Sequence, residues 1–199
     1  MSAVSDSPFV VSTIGAEVRV TAVREAGRMA SVQVPEQAAR YWRSRIRRSP
    51  WFDSERELLL VLSLNARHRV ISFSLVSLGT LNETIAHPRD IFRAAIAVNA
   101  FGIILIHNHP SGDPSPSNAD YALTRRIYRC AEMIQIRFID HVVVGSGLKH
   151  FSFRAVGELE PGTVIAAERR AQRELRKELV AKIEKKLLAR VHKLSQRAT

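Results

Sequence analysis

The steadiest apolar runs lie in the middle of the chain. ELLLVLSLN (57–65) and RVISFSLVSLG (69–79), split by the turn ARH, predict two antiparallel strands. Thr80 to Pro88 reads as loop. From Pro88 the period changes: PRDIFRAAIAVNA has helical spacing, with Pro88 suited to the first helical position and Asp90 in the first turn. Gly102 is expected to end that helix. GIILIH then follows without alternation, the pattern of a strand covered on both faces. A second helix is predicted from about Ser117 to Met133, then a strand in QIRFIDHVVVGSG and a short last strand in HFSF. Strands interleaved with two helices predict an α/β or α+β sheet sandwiched by helices.

The two ends read differently. Residues 1–34 alternate only weakly (AEVRVTAV, then ASVQV) and predict a hairpin or an extended lead-in. PEQAARYWRSRIRR, from Pro35, turns helical and is expected to stop before Ser49-Pro50. Beyond Pro161-Gly162, apolar residues at 175, 179, 183, 187, 191 and 194 recur at spacings of three and four among Lys and Arg. This predicts a long basic amphipathic helix whose stripe packs on its own domain, pairs with a second copy as a homodimer, or meets a partner. The expected organisation is a basic N-terminal segment (1–52), a central domain (53–160) and a basic helical tail (161–199).

Composition narrows the class. The single cysteine, Cys130, excludes an intramolecular disulfide and any Cys-based zinc cluster, and fits a reducing compartment, so a cytoplasmic location is expected. MSAVSDSPFVVSTIG has neither the basic start nor the apolar core of an export signal. The longest apolar stretch, Ala94 to Ile106, is broken by Asn99 and Gly102 and is shorter than the roughly 20 residues a bilayer demands; no membrane partner is expected. The net charge of +11 sits in the flanks: +4 in residues 1–52, zero in 53–160 and +7 in 161–199. Five Arg fall within residues 40–48, beside Tyr41, Trp42, Trp51 and Phe52. Such a mixture can grip a phosphate backbone and stack on bases, or it can be a solvated helix whose aromatics anchor it to the core. A DNA partner would therefore be met through residues 40–48 and 161–199 and not through the middle.

The chemistry-bearing stretch follows the buried strand: His107 to Asp120 reads HNHPSGDPSPSNAD. Side chains at i and i+2 of a strand share a face, so His107 and His109 can converge on one point. Imidazole nitrogen ligates zinc at roughly 2.0–2.1 Å, and two ligands alone hold a metal poorly, so a third is expected nearby. Asp120 is the candidate. Pro110, Pro114 and Pro116 restrict the loop, Gly112 allows a sharp turn, and a helix starting at Ser117 carries Asp120 in its first turn. Ser-x-x-Asp is also a helix-capping arrangement, which is compatible with ligation because the cap fixes the helix end that bears the ligand. Two His and one carboxylate leave a fourth position for water, as catalytic zinc sites do. A carboxylate base is needed beside it. Glu55 and Glu57 both stand at the start of the first core strand, and Glu57, directly before LLLVLSLN, is the preferred one.

Together these residues resemble the JAMM (MPN+) metallohydrolase pattern: a distant Glu, then H-x-H-P, then P-S-x-x-D. Within it the chain is similar to the RadC-like branch from about Asp53 to Phe153, through SERELLLVLSLNARHRV, GTLNETIAHPRDIFRAAIAVNA, IILIHNHPSGDPSPSNAD and IDHVVVGSG. The resemblance implies an α/β fold of the JAB/MPN type (cytidine-deaminase-like), a mixed sheet flanked by helices, to which the long basic C-terminal helix is added. It implies a Zn2+ held by His107, His109 and Asp120, with Glu57 as general base. It also puts Ser117 at the family serine, whose hydroxyl donates to the oxyanion of a tetrahedral intermediate. Better-known JAMM relatives cleave isopeptide bonds to ubiquitin-like proteins, and RadC-like proteins carry a DNA-repair label. The helix-hairpin-helix region of the long RadC form is not found in residues 1–52, and the basic tail runs past the family's usual end.

Three functions compete. The first is a zinc-dependent peptidase or isopeptidase acting on a peptide or protein substrate. The second is a metal-dependent nuclease or DNA-processing accessory protein using the basic flanks; the third is a non-catalytic binding module. A zincin is excluded because no HExxH occurs, and a zinc nucleobase deaminase because its PCxxC ligands cannot come from one cysteine. His87 and Arg89 at a helix start, and Asp140-His141 in a strand, are candidates to orient a ligand imidazole, each with a structural alternative. Cys130 reads as a small core residue.

Overall fold

The structure, a computed structural model, describes residues 11–14, 17–20, 23–24, 30–78 and 86–195. The loop expected over Thr80–Pro88 falls mostly outside them. The described elements, in chain order, are β1 (Val11–Ile14), β2 (Glu17–Val20), β3 (Val23–Arg24), α1 (Pro35–Tyr41), β4 (Leu58–Leu64) and β5 (Val70–Leu78). They continue with α2 (Pro88–Ala97), β6 (Gly102–Asn108), α3 (Asn118–Ile134), β7 (Arg137–Val144), β8 (His150–Ser152) and α4 (Pro161–Ser195). The chain divides into two compact units, residues 1–159 and 160–199.

In the first unit, β1 and β2 form an antiparallel pair, so the lead-in is a hairpin. A mixed sheet has the order β3-β5-β4-β6-β7-β8, with β6 and β7 parallel and the remaining neighbours antiparallel. This sheet flanked by helices is the α/β arrangement expected.

Strand alternation sorts the core into two. Leu58, Leu60, Leu62, Leu64, Ile104 and Ile106 pack with Ala38, Ala39, Tyr41 and Trp42 from α1 and the turn after it. Leu59, Val61, Ile103 and Leu105 pack with Ile91, Phe92 and Ala95 of α2 and Ile127 and Ala131 of α3. Both β4 and β6 are therefore buried along their whole length, which is why neither alternates in polarity. Each fully buried leucine or isoleucine stabilises the fold by roughly 1.5–3 kcal/mol relative to exposure.

Three local expectations need correction. The helix from Pro35 does not run evenly to residue 48: after Tyr41 it widens into a π-turn (Trp42–Ile46), closed by Arg47 N donating to the Trp42 carbonyl at 2.9 Å. That turn buries Trp42 and Ile46, and with Tyr41 in the core the aromatics of residues 41–42 serve as anchors. Secondly, α2 ends at Ala97 and not at Gly102; the reversal is made at Asn99, whose φ is 50°. Gly102 instead opens β6, where a Cβ would lie 2.7 Å from Ile139 Cδ1 and 2.8 Å from the Arg137 carbonyl.

The third concerns α4, the described part of the second unit. It is helical and basic as expected, but its apolar positions are not segregated from its charged ones. Successive spacings of four precess about 40° per step on a helix of 3.6 residues per turn, so Leu175, Leu179, Ile183 and Leu187, all exposed, spread over about 120° of its surface, and Arg176 and Lys186 fall within that same arc. Among the described residues no helix is long and apolar enough to cross a membrane.

Candidate metal centre

The sheet register assembles the site. His107 of β6 stands opposite Leu59 of β4, so odd-numbered residues 57, 59, 107 and 109 share the face on which α3 packs. Glu57, two residues before Leu59, arrives beside the histidines, with Oε1 3.6 Å from His107 Nε2 and 3.8 Å from His109 Nε2. Asn108, between them in sequence, points to the other face and locks the two strand ends together. Its Oδ1 accepts from Leu58 N at 3.0 Å and its Nδ2 donates to the Arg56 carbonyl at 3.0 Å.

The loop then returns the chain to the same point. Gly112 takes φ 77° to make the sharp turn after Pro110. Ser117 caps α3: its backbone N–H and its hydroxyl both donate to Asp120 Oδ2 at 2.7 Å, and Asp120 N donates back to Ser117 Oγ at 3.2 Å. The cap aims the other side of the buried carboxylate at the imidazoles.

Glu57, His107, His109 and Asp120 form a group able to hold a metal ion, with one potential ligand atom from each lying within 4.8 Å of the others. The separations fit an ion. His107 Nε2 lies 3.1 Å from His109 Nε2 and 3.2 Å from Asp120 Oδ1, and His109 Nε2 lies 3.5 Å from Asp120 Oδ2. Ligands about 2.05 Å from a tetrahedral centre sit about 3.3 Å apart.

Hydrogen bonding outside the cluster presents the right atoms. His109 Nδ1 donates to the Asp113 carbonyl at 2.8 Å, which leaves the Nε2 lone pair facing inward. His107 Nδ1 is 2.9 Å from His141 Nε2, His141 Nδ1 is 2.7 Å from Thr124 Oγ1, and Thr124 Oγ1 donates to the Asp120 carbonyl at 2.6 Å. One direction satisfies every member: His107 donates to His141, His141 to Thr124, and Thr124 to the backbone of α3. Both Nε2 lone pairs then converge, an arrangement that is repulsive until a cation lies between them.

Electrostatics agree with the roles available. Burial pushes the Glu57 carboxyl up to about 7; neighbouring Asp120 adds to the rise and His109 opposes it. Burial also acts to raise Asp120, but the adjacent His107 and His109 rings and the hydrogen bonds from Ser117 outweigh it and hold this carboxyl well below the usual range. Burial lowers His107 and, more strongly, His141, keeping both neutral as metal ligation and the relay require. The Asp120 carboxylate beside its Nε2 raises His109, against the effect of burial.

All of the preferred residues meet, and the lesser candidates separate. Glu55 is exposed and bonded to its neighbours Ser54 and Asp53. His87 caps α2 through its backbone carbonyl, and Arg89 is exposed. Of the Asp140-His141 pair, His141 contacts a ligand imidazole, while Asp140 turns away to accept from Ser152 Oγ, Arg154 N and His141 N. Cys130 is partly buried against the α2–α3 core. Asn108 and Thr124 are site-supporting residues that the pattern of polar positions missed. The available signal for Asn108 was a polar side chain held inside an apolar strand end; Thr124, four residues after Asp120 on one helix, was foreseeable only from spacing.

Residues 32–158 match the family model described as the RadC-like JAB domain. The chain is similar to a UPF0758 protein of Thermotoga maritima, 45% identical over 105 residues that make up 53% of this chain and 47% of that one. It is similar too to a UPF0758 protein of Chlorobaculum parvum, 48% identical over 102 residues, 51% of this chain and 46% of the other. The chain spans about half the length of the curated relatives it matches. With more than half of its length matched in order, and the Glu-His-His-Asp group gathered at one sheet end, the chain belongs to the RadC-like JAB domain family.

Proposed function

We propose that the protein is a zinc-dependent hydrolase of peptide or isopeptide bonds, with His107, His109 and Asp120 as the metal ligands. The observation that carries this reading is the convergence of two outward-anchored imidazoles and one capped carboxylate, with a second carboxyl, Glu57, at 3.6–3.8 Å from both rings. A bound zinc ion would polarise a carbonyl and bring the pKa of a coordinated water from 15.7 to about 7.

The protein's own groups supply the remaining work. Glu57 Oε1 takes the proton of the attacking water and passes it to the leaving amine nitrogen, a task suited to a carboxyl that burial has moved near neutrality. Ser117 holds Asp120 in place, and we assign its hydroxyl to the oxyanion as well. The hydroxyl has one hydrogen, now given to Asp120 Oδ2, so that second role requires it to turn during the reaction.

Metal content and hydrolysis of an amide-substrate panel test the reading together. Glu57→Ala should abolish turnover and retain zinc, whereas His109→Ala should lose the zinc itself. Turnover surviving in either variant would contradict these roles.

A second reading concerns the flanks. Residues 169–187 of α4 are exposed and rich in Lys and Arg, which supports salt-dependent contact with DNA. Deleting residues 161–199 should then abolish DNA binding and leave hydrolysis unchanged; DNA cleavage at the metal centre would instead favour a nuclease.

A further inference from the structure

A cleft of about 120 Å³ opens beside His109. One wall is Trp42 against Phe52, rings edge to face with centroids 6.0 Å apart; the other is the loop at Pro110 and Gly112. Arg43 and Arg47, one turn apart after α1, also line it, and among the described residues no carboxylate does. The cleft thus holds two like charges beside an apolar wall, with no opposite charge lining it among the described residues.

The other polar groups of the cleft are already engaged. The Asn108 amide is used by Leu58 and Arg56, and the Ser146 hydroxyl and N–H both donate to the Gly112 carbonyl. Arg43 Nη2 donates to the Lys149 carbonyl at 3.1 Å, which fixes the guanidinium, yet its Nε is buried with no hydrogen-bond partner. Burial, and then the neighbouring Arg47 charge, both work against the Arg43 cation. Neither arginine is paired with a carboxylate among the described residues.

We propose that this cleft is an anion subsite in which Arg43 and Arg47 bind a carboxylate of the substrate, close to the amide that is cleaved. An arginine fork matches the two oxygens of a carboxylate and gives a charge-assisted bond where a neutral amide cannot. The volume suits one side chain or a chain terminus. The inference rests on the amide-hydrolase reading for the identity of the anion, since the anionic groups of peptides are carboxylates.

Three blocked peptides test it: acetyl-Ala-Glu-Ala-amide, acetyl-Ala-Gln-Ala-amide, and acetyl-Ala-Ala with a free carboxylate. Calorimetric titrations use the full chain, zinc-loaded and again metal-free, so that carboxylate ligation of the metal does not enter the second series. One or both acidic peptides should bind at least about tenfold tighter than the Gln peptide, the stronger of the two identifying a side-chain or a terminal carboxylate. Arg47→Gln, at an exposed position, should erase most of that preference without changing zinc content. Equal or undetectable binding of all three peptides, or a preference that survives Arg47→Gln, would overturn the proposal. So would a tetrathymidylate that outcompetes the Glu peptide through the same arginine. Because the readout is binding, absent turnover with a clear preference counts against the hydrolase alone, and turnover without preference counts against the subsite alone.

Discussion

His107 Nδ1 lies 2.9 Å from Nε2 of His141 on the adjacent parallel strand, and both rings are buried. The contact settles which nitrogen of His107 faces the cluster, because a ring whose Nδ1 is spent as a donor offers only Nε2. Outer partners of this kind typically contribute 10–100-fold to metal affinity. His141→Leu should therefore weaken zinc binding by roughly that factor in competition with a chelator, with the fold retained. Unchanged affinity would show that His107 is oriented by other contacts.

Asn108 joins the two strand ends that carry Glu57 and the histidines. Asn108→Ala leaves Leu58 N–H buried without its partner, and a buried unsatisfied group costs about 1–3 kcal/mol. Urea denaturation should show that loss. Turnover should fall further than metal content, because Glu57 is freed while the ligands stay. An undiminished midpoint would show that another acceptor reaches Leu58.

Gly145 touches the loop that holds His109. A Cβ there would lie 2.5 Å from the Gly112 carbonyl and 2.8 Å from Pro114 Cδ, and both belong to the segment whose Asp113 carbonyl anchors His109 Nδ1. Gly145→Ala should cost about 1–3 kcal/mol by overpacking and lower zinc affinity with it. A variant as stable and as metal-avid as the parent would mean that the loop yields without moving Asp113.

Burial pushes the Asp140 carboxyl from 3.8 up to about 6, despite bonds from Ser152, Arg154 and His141. The folded protein thus holds this proton more tightly than the unfolded chain does. The resulting stability is present below about pH 4 and is lost as the pH rises through about 6. Asp140→Asn removes that titration and retains the network, its amide donating to Ser152 Oγ. The variant's stability relative to the parent should rise between pH 4.5 and 7.5, by about 2 kcal/mol. Equal differences at the two pH values would rule this out.

Much of the architecture was legible along the chain. The unbroken apolarity of Leu58–Leu64 and Gly102–Ile106 announced strands covered on both faces, because alternation disappears when neither face meets water. Proline at 35 and 88 marked two helix starts, since a missing N–H costs nothing there. The π-turn at Trp42–Ile46 was not legible: nothing in the local spacing distinguishes it from a regular helix, and only the core it fills does. The charged residues within the apolar arc of α4, Arg176 and Lys186, were readable too but easily overlooked, since the spacings of the leucines and isoleucines taken alone suggest a clean stripe.

The sequence by itself determined the chemistry on offer: two imidazoles on one strand face, a stiff loop of fixed length, and a carboxylate in the first turn of a capped helix. These are local relations, set by backbone periodicity and by proline and serine stereochemistry. Tertiary structure alone decided what surrounds them. Glu57 joins only through the β4–β6 register, His141 only through the parallel pairing of β6 with β7, and Arg43 and Arg47 only because α1 packs beside the end of that sheet. Contacts between residues far apart in the chain depend on how the whole core closes, and no short stretch carries that information.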